Sequence, residues 1–339
     1  MLVTYIRSSS YNNYAYCQMQ YFITYVLGHQ PDSGKKAELG TIVHKVMECL
    51  AQFKKEHQDS PRKSNLIIND DALGKVSIKK TELYTNSLVE QLVQKSFSFY
   101  TSGSKHNFSK ADNNDCGKLV WDTLQYNDGQ FDPRNRKIVA AEPHFDIPID
   151  EDWAHYEYEM GGKKIKGQLA IKGTIDLVTE SSDGVIEVID WKTGRRLDWA
   201  TGEEKTYEKL CNDPQLLLYN YAISKLFPEY KQSIMSIFFI KDGGPFSMCF
   251  DENDQKNFLK MLKQRFQDIQ KNNTPRPISE NRENWKCTKL CHYCKNNWPG
   301  TDQNMCIYIE NTLKSKGMSE TLKECTRPGF DIGYYSAPG

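Results

Sequence analysis

Gly173-Thr-Ile-Asp176-Leu-Val178 and, after a short break, Val185-Ile-Glu-Val-Ile-Asp190-Trp-Lys192-Thr-Gly194 decide how this chain is read. Both runs are rich in β-prone residues, and Ser181-Ser-Asp-Gly184 between them is a turn signal. Together they predict a β-hairpin with a carboxylate near the end of each strand. Side chains on a strand alternate between faces, so Asp190 and Lys192, two apart, share one. With Asp176 supplied by the neighbouring strand, the hairpin predicts a metal site with an ammonium beside it.

The flanking segments build a mixed α/β frame around that hairpin. Downstream, Asp213-Pro214 opens a helix with an acidic N-cap and a proline at its first position. Gln215 and Tyr219, four apart, lie on one face of it, while the intervening leucines turn to the core. Ile234–Lys241 and Phe246–Phe250 read as strands joined by Asp242-Gly-Gly-Pro, and Phe258, Met261, Leu262, Phe266 and Ile269 mark an amphipathic helix. Upstream, Lys137–Ile149, Tyr156–Met160 and Lys164–Ala170 read as an antiparallel run of strands with turns at Asp150-Glu-Asp and Gly161-Gly162. Glu142 ends an apolar stretch there, and its residue type fits an edge position and an acidic contributor to the site equally.

A helix follows Gly40, with Val43, Val46, Met47, Leu50 and Phe53 on one apolar face and His44 at its border. Residues 8–27 predict one aromatic-rich helix from the Ser8-Ser9-Ser10 cap to Gly28, with Cys17 inside it as a buried thiol when read alone. Residues 57–70 read as a loop, Val89, Val93, Phe97 and Tyr100 as a helical face, and 101–116 as a second loop. The stretch 57–135 is therefore expected to be a helical insertion without chemistry of its own. Residues 308–339 suggest a short helix and a loose tail, with 311–339 set apart as the C-terminal tail.

Composition bounds the function. Lys+Arg and Asp+Glu are equal at 44 each in 339 residues, so no overall field attracts a polyanion, and nucleic-acid binding would need a local basic channel. Lys163, Lys164 and Lys166, and Arg195 and Arg196 beside the hairpin, are candidates for phosphate contact. No run approaches the roughly 18 apolar residues of a membrane span, and no signal-peptide pattern opens the chain. The expectation is an intracellular, cytoplasmic protein with no membrane contact. In a reducing compartment, cysteines at short spacing favour metal ligation over disulfides, and Cys287, Cys291, Cys294 and Cys306 crowd together.

Taken in order, Gly40 to His44, Gly173-Thr-Ile-Asp176, Asp190-Trp-Lys192-Thr-Gly194 and Gln215 to Tyr219 resemble the RecB-like branch of the PD-(D/E)XK nuclease superfamily. That branch carries a G…H helix, a Gly-x-x-Asp strand, an Asp/Glu-x-Lys strand and a Q-x-x-x-Y helix. The resemblance implies a central mixed sheet flanked by helices, a restriction-endonuclease-like core, and one nuclease domain over 1–310. It also implies a magnesium or manganese ion on His44, Asp176, Asp190 and the carbonyl of Trp191. Hard oxygen donors suit those ions, and such an ion polarises a phosphoryl oxygen and activates water. Asp176, Asp190, Lys192, Gln215 and Tyr219 would then be the catalytic set.

Cys287-x3-Cys291-x2-Cys294-x11-Cys306, within a metal-binding segment at 285–307, has thiolate spacing compatible with zinc and with iron–sulfur ligation. In iron–sulfur members of the family, such as the AddB-type and CRISPR-associated enzymes, one early cysteine joins three after the core. Cys17, Cys291, Cys294 and Cys306 match that pattern and imply a [4Fe–4S] cluster acting as a structural staple. The gap before Cys306 is long and Cys287 is spare, so zinc on Cys287, Cys291, Cys294 and Cys306 stays open.

The function expected from this resemblance is metal-dependent DNA hydrolysis, at ends or on single strands, in recombination, repair or replication. No helicase P-loop is present, so a helicase or recombination protein is the expected partner where strands must be opened. The alternatives are a catalytically silent module that binds DNA ends and a thiol redox protein working through Cys291 and Cys294.

Overall fold

The computed structural model describes all residues except 161–162, 182–183, 199–200 and 332–339, together with the side chains of Met160 and Lys163. In chain order the first elements are β1 (Tyr5–Ile6), α1 (Ser8–Tyr16), α2 (Gln18–Tyr21), α3 (Lys35–Asp59), β2 (Asn65–Asp70), β3 (Gly74–Lys79), α4 (Asn86–Ser102) and α5 (Lys110–Leu124). Then come β4 (Lys137–Ala141), β5 (His144–Pro148), β6 (His155–Met160), β7 (Lys163–Gln168), β8 (Ala170–Thr174), β9 (Leu177–Glu180) and β10 (Ile186–Lys192). The chain ends with α6 (Tyr207–Cys211), α7 (Pro214–Leu226), β11 (Ser233–Phe239), β12 (Gly244–Cys249), α8 (Glu252–Lys271), α9 (His292–Lys295) and α10 (Met305–Cys325). This is the mixed α/β architecture, with sheets flanked by helices, that the sequence predicts. It forms two compact units, 33–144 with 174–251 and 1–32 with 145–173 and 252–339.

The unit built from 33–144 and 174–251 holds a five-stranded mixed sheet in the order β12-β11-β10-β9-β4. β10 runs parallel to β11 and antiparallel to β9, which completes the predicted hairpin. As a central strand it is covered on both faces, and Ile186, Val188, Ile189, Asp190 and Trp191 are all buried, which explains its nearly unbroken apolar run. The apolar face of α3, including Val43, Val46, Met47, Leu50 and Phe53, is fully buried in a core shared with Leu177, Ile189, Trp191 and Phe238. Truncating Phe53 to alanine there would cost about 3–5 kcal/mol.

α3 begins at Lys35, earlier than the start expected after Gly40. Gly40 serves a different purpose: a Cβ on it would lie 2.8 Å from Thr193 Oγ1, so only glycine lets the helix approach the end of β10. The segment expected to be a helical insertion also contains a strand pair. β2 and β3 form a hairpin from Asn65↔Lys79 to Asp70↔Gly74, burying Leu66, Ile68, Val76 and Ile78 on one face. α5 likewise takes over the second part of the expected loop 101–116, from Lys110 on, opened by a Ser109–Asp112 capping box, while 103–109 stay non-helical.

Two runs expected to be continuous strands are each broken. Glu142, at φ +47°, separates β4 from β5 just before Pro143, and Ile175-Asp176 separates β8 from β9. The breaks satisfy each other: Glu142 N–H donates to the Asp176 carbonyl at 3.0 Å and Ile175 N–H to that of Pro143 at 3.2 Å. The strands 137–170 are therefore not one antiparallel run; β4 pairs with β9, and β6 with β7. The Gly161-Gly162 turn and the centre of the Ser181–Gly184 turn lie outside the described residues.

In the other unit, β1-β8-β5 form a three-stranded sheet and β6–β7 a hairpin. α8 buries Phe258, Leu262, Phe266 and Ile269 as its periodicity predicts. The expected single helix over 8–27 is instead α1, α2 and a π-helical turn at Phe22–Val26, because Cys17 is extended at φ −154° and caps α2 with its sulfur. α10 reaches Cys325 across a break at Gly317 (φ +77°), so residues 311–325 are two helical pieces rather than a loose tail. Among the described residues, no helix is long and apolar enough to cross a membrane.

Candidate active site

His44, Asp176, Asp190, Lys192, Gln215 and Tyr219, which come from four different segments, stand together in the unit that holds the five-stranded sheet. Asp190 and Lys192 share a face of β10 as their spacing requires, and Lys192 Nζ lies 2.6 Å from Asp190 Oδ2. Apart from this close ion pair, Oδ2 receives no hydrogen bond. Asp176, in the break before β9, accepts from the Trp191 backbone N–H at 2.8 Å through Oδ2 and faces His44 Nδ1 at 3.3 Å through Oδ1. The His44 ring meets the buried Trp191 indole edge-on, with centroids 6.5 Å apart.

α7 supplies the bracing. Asp213 caps it through the Gln215 N–H at 2.9 Å, which fixes the first turn. Gln215 then donates to Asp190 Oδ1 at 3.0 Å and to Tyr219 OH at 2.9 Å, and its carbonyl accepts from Lys192 at 3.2 Å. Tyr219 donates onward to the Thr174 carbonyl at 2.7 Å. The amide thus uses both its N–H groups and its oxygen, and a chain of hydrogen bonds runs from backbone to ammonium.

Charge follows from this packing. Burial pushes the Asp190 carboxyl up to about 6 against the pull of Lys192. Burial acts in the same direction on Asp176, but His44, Lys192 and the Trp191 N–H outweigh it and hold that carboxyl below the usual range. Burial disfavours the charged forms of His44 and Lys192, yet the carboxylates beside them raise both. The His44 and Lys192 side chains are 34% and 32% exposed while Asp190 is 3%, so the site opens to solvent on the side of the bases.

A second charged cluster adjoins the first and was not read from the sequence. Lys45, next to His44 on α3, pairs with Glu48 and with Asp70 of the β2–β3 hairpin at 2.8 Å, and lies 3.9 Å from Glu142. The Lys45–Glu48 pair is an i,i+3 signal, whereas Asp70 and Glu142 arrive only through folding. The basic candidates are less free than their sequence suggests. Arg196 pairs with Glu204, takes the Asp242 carboxylate on its N–H and sits 4.6 Å over Phe246, while Lys164 and Lys166 reach Glu157 at 3.6 and 2.9 Å. Arg195 is exposed, and the Lys163 side chain lies outside the described residues.

In the other unit, Cys17, Cys287, Cys291, Cys294 and Cys306 all line one small enclosed pocket. A π-helical turn at Lys286–Leu290 carries Cys287 and leads into Cys291, α9 carries Cys294, and the start of α10 carries Cys306. Contact with Cys294 lowers Cys291 to about 6 and also lowers Cys306, while burial raises Cys17 to about 11 and raises Cys287. All are free thiols. Among the described residues, no three His, Cys, Asp or Glu side chains are placed closely enough to hold a metal ion as they stand.

The chain matches the family model of the PD-(D/E)XK nuclease superfamily over residues 8–298. No curated protein sequence matches it. Among solved structures, it resembles a protein provisionally named an exonuclease, from Eubacterium rectale. The identity is 12% and the TM-score 0.41, over 93% of this chain and 94% of that one. It also resembles SSO0001 at 14% identity and TM-score 0.25, over 76% of this chain and 92% of that one. Overlaps this loose add nothing to the assignment, which rests on the family match across the carboxylates, the lysine and the bracing glutamine: this chain belongs to the PD-(D/E)XK nuclease superfamily.

Proposed function

We propose that the protein is a divalent-metal-dependent deoxyribonuclease that acts on DNA ends or single strands. The observation that carries the reading is the convergence of Asp176, Asp190 and Lys192 at the end of one hairpin, braced by Gln215. The donor set fits magnesium or manganese: two carboxylates, an imidazole and a backbone carbonyl at Trp191, with one oxygen of Asp190 met by the Lys192 ammonium alone. His44, Asp176, Asp190 and the Trp191 carbonyl would hold the ion, with small side-chain shifts. When bound, it supplies charge to polarise a phosphoryl oxygen and to lower the pKa of water.

The chain's own residues do the rest. Lys192, kept charged by the two carboxylates, holds the attacking water or stabilises charge developing on phosphorus. Gln215 fixes both Lys192 and Asp190 in direction, so neither must reorganise as charge develops. Tyr219 ties Gln215 to the Thr174 carbonyl and acts through it. His44 orients Asp176, and exposed Arg195 next to β10 is suited to a backbone phosphate.

The thiol pocket belongs to the same reading as a structural metal centre. Five sulfurs with no carboxylate among them favour a thiophilic centre, and the presence of Cys17 in the pocket supports a [4Fe–4S] cluster on Cys17, Cys291, Cys294 and Cys306. Zinc on the four later cysteines is the competing outcome. Anaerobically purified protein is expected to show a broad shoulder near ~400 nm with bound iron; a colourless protein with zinc would instead assign the local site.

Digestion of end-labelled linear, circular and single-stranded DNA tests the function. Loss of linear and single-stranded substrate with magnesium or manganese, and survival of closed circles, is the expected result. Cleavage of closed circles would replace the exonuclease reading with an endonuclease, and no cleavage of any substrate would leave a DNA-end-binding module.

A further inference from the structure

We propose that Lys45, clamped by Asp70 of the inserted β2–β3 hairpin, is a positioning residue of the active site. Its ammonium fixes Glu142 beside Asp176 and offsets the acidic side of the site, so that a metal ion and a DNA phosphate are bound together. The proposal rests on the metal-dependent reading above and assigns the insertion a part in it.

Lys45 follows His44 on α3, about 100° further round the helix, so the two side chains leave in different directions, His44 to Asp176 and Lys45 to Asp70. An ammonium has three donors, and three carboxyls surround this one: Glu48, Asp70 at 2.8 Å and Glu142 at 3.9 Å. The Lys45 side chain is 11% exposed and that of Asp70 1%. A charge buried to this degree is stable only when paired. Asp70 is itself fixed. Its Oδ1 accepts from the Ala72 and Leu73 N–H groups at 3.0 and 2.7 Å in the hairpin turn, which leaves Oδ2 for Lys45. The hairpin thus ends in an aspartate held by its own turn and directed at the residue next to His44.

Glu142 is the other end of the link. It adopts a left-handed backbone conformation at φ +47°, a strained state for a residue with a side chain. Its N–H bonds the Asp176 carbonyl, so the strained residue is attached to the backbone that delivers the metal-facing aspartate. Lys45 faces its carboxylate from α3 at 3.9 Å. Without that ammonium, the carboxylates of Asp70 and Glu142 would stand uncompensated on the side of the site that holds Asp176. Such a field attracts a divalent cation and repels a phosphodiester.

The two ligands should therefore respond in opposite directions, which a simple loosening of the fold cannot produce. Lys45→Gln removes the charge but keeps two N–H donors for the carboxyls. It is expected to tighten manganese binding about threefold to tenfold by titration calorimetry, and to raise KM for DNA by a similar factor. Lys45→Arg keeps the charge and is expected to restore both values to within about threefold of wild type. Asp70→Asn changes only the hairpin end of the link and should weaken manganese binding, opposite to Lys45→Gln; it also tests the proposal if Lys45→Gln does not fold. Manganese and DNA binding that weaken together in Lys45→Gln, or stay unchanged, would overturn the role of Lys45 and leave the metal reading intact. Wild-type protein that binds no manganese would overturn both.

Discussion

The carboxylate site around β10 and the thiol pocket around α9 handle buried polar groups in different ways. At the carboxylates the chain supplies its own partners: Gln215 bridges Asp190 and Lys192, the Trp191 N–H and His44 take Asp176, and Tyr219 ties the amide to backbone. At the thiols the sulfurs are partnered chiefly by one another, and Cys291 and Cys306 are pulled down through Cys294. The first cluster is organised before anything binds. The second gathers five thiols beside the Arg282 guanidinium, which helps pull Cys306 down, and under the proposed reading a bound cation would complete it. Changes at the first should therefore alter rate at nearly constant stability, and changes at the second should alter stability first.

The largest expected effect comes from the site already organised. Lys192→Ala should lower kcat by about a thousandfold or more while metal binding survives, as expected for charge stabilisation lost only in the transition state. Single-turnover cleavage with calorimetric metal titration reads both, and an equal loss of metal affinity would move Lys192 to a structural role. Next is the pocket. Cys291→Ser should remove the bound metal and lower Tm by roughly 10 °C or more, in line with a lost structural centre worth several kcal/mol. Cys287→Ser then separates the ligand sets, since it should retain iron if Cys17 is the fourth ligand and lose metal if the site is zinc on the later four. Gln215→Ala should cost about tenfold to a hundredfold in kcat with little change in Tm, because it frees Lys192 without removing it.

The smallest effect is in stability against pH. Burial, then Glu142, pushes the Glu48 carboxyl up to about 8 against Lys45. Because this folded value lies above the unfolded one, its contribution to stability is complete below about pH 4.5 and is lost as pH rises through about 8. Glu48→Gln lacks this loss. Relative to wild type it should gain stability between about pH 4.5 and 8 and keep a margin of about 1 kcal/mol or more above that. Denaturation midpoints across this range measure it, and a margin that shrinks as pH rises would refute the assignment.

Much of the frame was legible because it depends on local pattern. The unbroken apolar run of β10, the α3 face from Val43 to Phe53 and the α8 face are periodicities that burial enforces. The spatial grouping of His44, Asp176, Asp190, Lys192, Gln215 and Tyr219 was also legible, through the order of short motifs and the two- and four-residue spacings within them. What the sequence hid is tertiary. The β2–β3 hairpin buries Leu66, Ile68, Val76 and Ile78, but the exposed Ile67 between the first two blurs an alternation already too short to stand out. α5 opens with a polar first turn that carries no apolar face, so its Ser109–Asp112 capping box was its clearest signal. Lys45 gave no signal in the sequence because Asp70 and Glu142 lie 25 and about a hundred residues away, and no spacing rule brings them together. Cys17 ended a helix rather than lying inside one, a break that its side chain stabilises by capping the next turn.

The central claim is that the Asp176–Asp190–Lys192 cluster hydrolyses DNA with a divalent ion. Cleavage of end-labelled linear DNA in manganese by wild type and Asp190→Ala, prepared side by side and matched in Tm, tests it most directly. The account predicts cleavage by wild type that chelation abolishes and a loss of about a thousandfold or more in the variant. Equal cleavage by both proteins would contradict it.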